Sequence, residues 1–137
     1  MARHVVAPLA EVPPGARKLV EAAGRPIVIF NVDGRLFAVS NRCPHAGGSL
    51  QHAKQVGLIT SKGPGEYTYS RKGEIIRCPW HGWEFDLATG KSWCDPGKVR
   101  VKNYAVSVEP GASLVEGPYT AETFKVSVED DYVVVEV

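Results

Sequence analysis

Two pairs of metal-capable side chains constrain this chain more than anything else in it. They are Cys43-x-His45 in "CPHAGGSL" (43–50) and Cys78-x-x-His81 in "CPWHGWEF" (78–85). Both segments are too broken by proline and glycine to be helical. Each pair follows a strand-like run, "LFAVSNR" or "EIIR", and leads into glycine-containing turn sequence. That pattern presents two ligands from each of two loops toward one point, so the remainder of the chain must fold to bring the loops together. Two thiolates and two imidazoles suit either tetrahedral zinc or an iron–sulfur cluster of mixed ligation. The spacing favours the cluster, because zinc fingers typically open on a C-x2–4-C pair and a Cys-x-His opening is unusual for them. Each loop also offers one soft and one harder ligand, so one iron can take both cysteines and the other both histidines.

The sequence around the pairs reads as short strands joined by turns. In "PIVIFNVDGRLFAVS" (26–40) two β-branched and aromatic runs flank Asp33-Gly34, a dipeptide suited to a tight type I′ hairpin turn. "EYTYSRKGEIIRC" predicts a hairpin about Lys72-Gly73, and "WEFDLATGKSW" another about Ala88 to Gly90. "KNYAVSVEPG" (102–111) reads as a strand closed by a Pro-Gly turn, and "TFKVSVEDDYVVVEV" as two strands about Asp130-Asp131. "RKLVEAAG" (17–24) is ambiguous and is assigned to a strand end. Glycine and proline together make 24 of 137 residues, spread along the chain rather than clustered, which suits many turns. The expectation is one all-β domain over 1–137.

Bulk properties exclude several classes. A formal net charge of +1 gives no global field toward nucleic acid or an anionic membrane. No apolar run approaches a membrane span, and "MARHVVAPLAEV" lacks the apolar centre of a signal peptide. Three cysteines, an odd number, argue against a disulfide framework and for metal or redox chemistry, which places the chain in the cytoplasm. Charge is uneven along it: residues 107–137 carry seven acids and one lysine, whereas 53–77 carry five basic and two acidic groups. These read as solvated hairpin faces, with orientation of a charged partner as the alternative. Cys94 matches no ligand box and is expected to be a small buried hydrophobe, while His4 and His52 are expected at the surface.

The two boxes together resemble the Rieske [2Fe–2S] proteins, down to Pro44, Gly47, Leu50, Pro79, Gly82 and Gly90. The resemblance implies an antiparallel β-sandwich base with a small cluster-binding subdomain of loops and short strands over 43–90. It implies that Cys43 and Cys78 hold the buried iron of one [2Fe–2S] cluster. His45 and His81 would hold the outer iron, facing outward as the electron exit. High-potential respiratory members carry a further cysteine in each box, joined as a disulfide; here those positions are Gly48 and Trp80. Where the same members place a serine and a tyrosine to donate hydrogen bonds toward the cluster, this chain has Trp83 and Phe85. Fewer donors stabilise the added electron less, so a low potential is expected.

No histidine follows His81 and no Gly-rich nucleotide motif is present, so the sequence offers neither a mononuclear iron site nor a flavin or nicotinamide site. The expectation is therefore a non-enzymatic ferredoxin, taking electrons from a flavin-dependent reductase and passing them to an oxygenase, with no nucleic-acid or membrane partner. The alternatives are a permanent small subunit of a reductase complex of the nitrite reductase type and a zinc-stabilised structural module. The 32 residues between His45 and Cys78 exceed the spacing expected of simple Rieske ferredoxins by about a hairpin, which marks 57–74 as an insertion beside the cluster loops.

Overall fold

The runs either side of Asp33-Gly34 form the centre of the molecule. In the computed structural model they are strands from Arg25 to Val32 and from Arg35 to Ser40, and Asp33 (φ 51°) and Gly34 (φ 91°) supply the two positive angles of the turn. The structure describes residues 3–44, 49–79, 83–92, 99–116, 120–121, 127 and 129–137, with backbone alone at 58–62, 66–72, 115–116 and 120–121. In chain order the described strands are β1 (Arg3–Pro8), β2 (Arg17–Ala22), β3 (Arg25–Val32), β4 (Arg35–Ser40), β5 (Lys54–Gly63) and β6 (Glu66–Arg77). They continue with β7 (Glu84–Asp86), β8 (Asn103–Tyr104), β9 (Val106–Pro110), β10 (Thr120–Ala121) and β11 (Asp131–Glu136). One short helix, α1, spans Gly111–Glu116, and single 3-10 turns lie at Leu9–Glu11 and Leu50–His52.

Three sheets result, ordered β10-β1-β11-β9, β2-β3-β4-β8 and β5-β6-β7. All pairings are antiparallel except β1 with β10. The arrangement is the expected all-β one, and β3 explains how its layers hold together. Its unbroken apolar run is buried on both faces, as a strand covered on two sides must be. Ile27 and Ile29 pack with Val133, Val135, Val6 and Ala22 between the first two sheets. Val28, Phe30 and Val32 face the other way, onto Ile76, Phe85, Leu50 and both described cysteines. Strand β11 behaves similarly, with Tyr132 and Val134 turned outward against Leu114 of α1.

Four expectations need correction. "KNYAVSVEPG" gives β8 and β9, but Pro110-Gly111 opens helix α1 instead of a tight turn. Gly111 is needed there because a Cβ would lie 1.7 Å from the Ser127 carbonyl oxygen. "EYTYSRKGEIIR" is one strand, β6, and not a hairpin about Lys72-Gly73. Gly73 does adopt a positive φ of 80°, but as part of a bulge between the Val56–Ile75 and Leu58–Ser70 pairs, with its carbonyl held by Gln55 Nε2 at 2.9 Å. The chain reverses at Pro64-Gly65 instead, where Gly65 has φ 80°. "RKLVEAAG" contains a full edge strand and its own turn, with Ala23 at φ 52° and Gly24 at φ 75°. His4 is buried on β1, an inner strand of its sheet. His52 is exposed, as expected. Cys94 and the strand expected before Asp130-Asp131 lie largely outside the described residues.

Candidate metal centre

Both boxes sit at the mouths of short loops whose ends are pinned together. Strand β4 delivers Asn41 and Arg42 to Cys43, and an antiparallel bridge from Arg42 to Ser49 closes the first loop. Asn41 does most of the pinning. Its backbone N–H donates to the Pro26 carbonyl (3.0 Å) and its carbonyl accepts from Leu50 N (2.7 Å). Its side chain accepts from Gln51 N (2.8 Å) and donates to Ser49 Oγ (2.9 Å). Nothing in the ligand pattern singles out Asn41; the available signal is an Asn at a strand end, a residue whose side chain readily holds a turn.

The second loop is built more simply. Strand β6 runs into Cys78, whose N–H donates to the Trp83 carbonyl at 2.7 Å, and β7 returns beside β6. Ile76 lies opposite Phe85, and Arg77 opposite Glu84, where the two side chains also pair at 3.2 Å. Beyond β7 the turn expected about Ala88 to Gly90 is present. Gly90 donates to the Asp86 carbonyl (2.7 Å) and accepts from Val101 N (2.8 Å). The glycine is obligatory, with φ at 77° and a Cβ that would lie 2.2 Å from the Val101 carbonyl oxygen.

The structure places Cys43 and Cys78 in the same buried cluster. They are 0% and 1% exposed, belong to one buried cluster with Leu50, Ile76 and Phe85, and neither is in a disulfide. Trp83 packs, partly buried, against the same cluster. The residue after each cysteine, Pro44 or Pro79, is exposed. Each cysteine is thus a buried residue between two exposed neighbours, Arg42 and Pro44 or Arg77 and Pro79. His45 and His81, together with Trp80 and Gly48, lie outside the described residues. Two buried thiols held by separate loops in an apolar setting, with an imidazole two or three positions along each loop, form a donor set that fits a [2Fe–2S] cluster of mixed ligation.

A second layer, absent from the ligand pattern, ties the loops to the base. Arg17 on β2 lies over the Phe30 ring, 4.9 Å from its centroid. Its Nη1 donates to the carbonyls of Gln51 (3.2 Å) and Ala53, and its Nη2 to Gln55 Oε1 (2.9 Å). Burial lowers the Arg17 pKa from its ordinary value. Arg35 joins the β3–β4 hairpin to Glu74 on β6 at 3.4 Å.

Comparison with known proteins decides the family. The model of the Rieske [2Fe-2S] domain matches residues 2–105, most of the chain. The chain belongs to the Rieske family. It is 30% identical over 119 residues to the 3-phenylpropionate/cinnamic acid dioxygenase ferredoxin subunit of Escherichia coli strain K12, covering 86% of this chain and 96% of that protein. Among solved Rieske-fold structures, the ferredoxin of Sphingomonas yanoikuyae B1 superimposes with a TM-score of 0.58 at 29% identity, over 78% of this chain and 90% of that one. The ferredoxin of carbazole 1,9a-dioxygenase from Nocardioides aromaticivorans IC177 gives a TM-score of 0.58 at 22% identity over 97% of each chain, a likeness of fold alone. Among the described residues no helix is long and apolar enough to cross a membrane.

Proposed function

We propose that this Rieske protein is a low-potential [2Fe–2S] electron carrier, accepting single electrons from a flavin-dependent reductase and passing them to an oxygenase. One observation carries the reading: Cys43 and Cys78 share one buried cluster at the mouths of two pinned loops, each with an exposed proline as the next residue. Its relatives' names, ferredoxin subunits of a dioxygenase, support the same role. In this reading Cys43 and Cys78 hold the inner iron, and His45 and His81 the outer one. When bound, the cluster supplies a one-electron couple.

The chain's own residues supply the rest. Phe85, Leu50 and Ile76 exclude water from the cysteine side. The loops "CPHAGGSL" and "CPWHGW" carry no charged side chain, which lets the tip approach a partner closely and release it quickly. Residues 43–90 act as the cluster-binding subdomain, and 57–74, on the β5–β6 hairpin, is an insertion that extends the surface beside it.

Anaerobic reduction followed by electron paramagnetic resonance tests the assignment, with iron and acid-labile sulfide counted on the same sample. Two of each per chain and a rhombic signal in the reduced state are expected. A colourless protein holding one zinc would overturn it. Reduction by a purified flavin reductase, then single-electron delivery to an oxygenase, tests the role. Permanent co-purification within a larger reductase complex would favour the subunit reading instead.

A further inference from the structure

Arg17 has a reach that its place on an edge strand does not suggest. It is 34 to 38 residues from each of its polar partners in sequence, and those partners lie on both routes into the candidate centre. The carbonyls of Gln51 and Ala53 belong to the segment leaving the first loop, just after the Leu50–His52 turn. Gln55 is on β5, and its Nε2 donates onward to the Gly73 carbonyl in β6, the strand that ends at Cys78. The guanidinium face rests on Phe30, itself in the buried cluster containing both cysteines. One planar fork thus touches the base sheet, the first loop's exit and, through a single glutamine, the second loop's approach.

We propose that Arg17 is a positioning residue that braces the two ligand loops against the base, and that its cation favours the reduced cluster. The inference rests on the cluster assignment above. The brace needs a fork: three acceptors in different directions and a stacked ring suit a guanidinium and not an ammonium. The charge needs only proximity. Reduction adds one negative charge to the centre, and a partly desolvated cation stacked on Phe30, a member of the cysteines' own buried cluster, is screened less than a surface one. An effect of about threefold on the reduced-to-oxidised ratio at fixed poise is expected, which at 59 mV per tenfold is about 28 mV.

Two substitutions separate brace from charge. Arg17→Met keeps an apolar stem over Phe30 and loses both; Arg17→Lys keeps the charge and loses the fork. Voltammetry of the loaded protein should place Arg17→Met about threefold toward the oxidised form and Arg17→Lys near wild type. Hydrogen exchange should show faster exchange than wild type at residues 50–56 and 73–78 in both variants. Unchanged exchange and potential in Arg17→Met would overturn the proposal. So would faster exchange with an unmoved potential, which would leave Arg17 a structural tie only. If Arg17→Met does not fold, Arg17→Lys still decides the brace, since unchanged exchange there defeats it. A wild-type protein lacking two irons and two sulfides would instead defeat the cluster assignment, an outcome independent of either variant.

Discussion

Phe85→Tyr adds one hydroxyl in the middle of the candidate centre. Phe85 is 0% exposed, lies opposite Ile76 in the β6–β7 pair, and shares its buried cluster with Cys43 and Cys78. The strand pair and the bond from Cys78 N to the Trp83 carbonyl fix the backbone two residues before the ring, so the new donor enters an otherwise apolar space beside the thiols. A hydrogen bond to a charged sulfur is worth about 1.5–3 kcal/mol net. Only the part that strengthens on reduction moves the potential, and about 1 kcal/mol of that raises a one-electron couple by about 40 mV. A hydroxyl that misses the sulfur behaves differently, because a buried donor without a partner costs about 1–3 kcal/mol of stability. Protein-film voltammetry and a thermal melt on the same variant distinguish the two. A raised potential with Tm within a few degrees of wild type is expected. A potential equal to or below wild type, with the cluster spectrum intact, refutes the argument that missing hydroxyls at 83 and 85 keep this centre low. Trp83→Ser is a poorer probe, since it also removes a ring packed against the cluster and opens the site to water.

Other outcomes follow from the same geometry. Cys43→Ser and His81→Ala should each take the iron and sulfide count from two of each toward none. The Cys43 variant should also melt earlier, because its loop is poor in large aliphatics and relies on the metal for cohesion. Gly90→Ala should lower the unfolding free energy by at least about 1 kcal/mol, read as a lower denaturant midpoint with an unchanged m-value, since the site combines a positive φ with a Val101 carbonyl too close to the added Cβ. Ala23→Asn should raise Tm by up to a few degrees, since asparagine tolerates the φ of 52° that Ala23 now adopts ahead of Gly24. An unchanged or lower Tm would mean that the β2–β3 turn is not left-handed in solution.

What the sequence shows about this fold depends on whether the signal is local. The Asp33-Gly34 turn is local, and so is the step from strand to Cys-Pro in each box; all are legible from adjacent residues. The hairpin misplaced at Lys72-Gly73 shows where local reading stops. A glycine with positive φ marks either a reversal or a bulge, and here a side chain eighteen positions away, Gln55, holds the bulge in place. Pro110-Gly111 misleads similarly: the glycine is required by the close approach of the Ser127 backbone, sixteen residues on, and the chain continues as helix. His4 is a charge-capable residue near a terminus, and its burial on an inner strand has no local signal. Arg17 is the extreme case, since all of its partners are long-range and no motif marks it.

The two boxes differ in sequence spacing, yet the same device recurs in each. A base-side strand ends in a buried thiol, the next residue is an exposed proline, and the chain returns to a backbone bond that closes the loop. Proline suits that step because its fixed φ and missing N–H stop the strand from continuing. The pinning differs because the loops differ in length. The short second loop is closed by one bond, from Cys78 N to the Trp83 carbonyl, and by the β6–β7 ladder behind it. Among the described residues the first, longer loop is closed by the bridge from Arg42 to Ser49 and the bond from Leu50 N to the Asn41 carbonyl, and the Asn41 side chain adds the restraint that a ladder would otherwise give. For a carrier that must accept and release an electron without rearranging, candidate ligands need firmly held supports, and the described hydrogen bonds at the base of each loop supply them for Cys43 and Cys78.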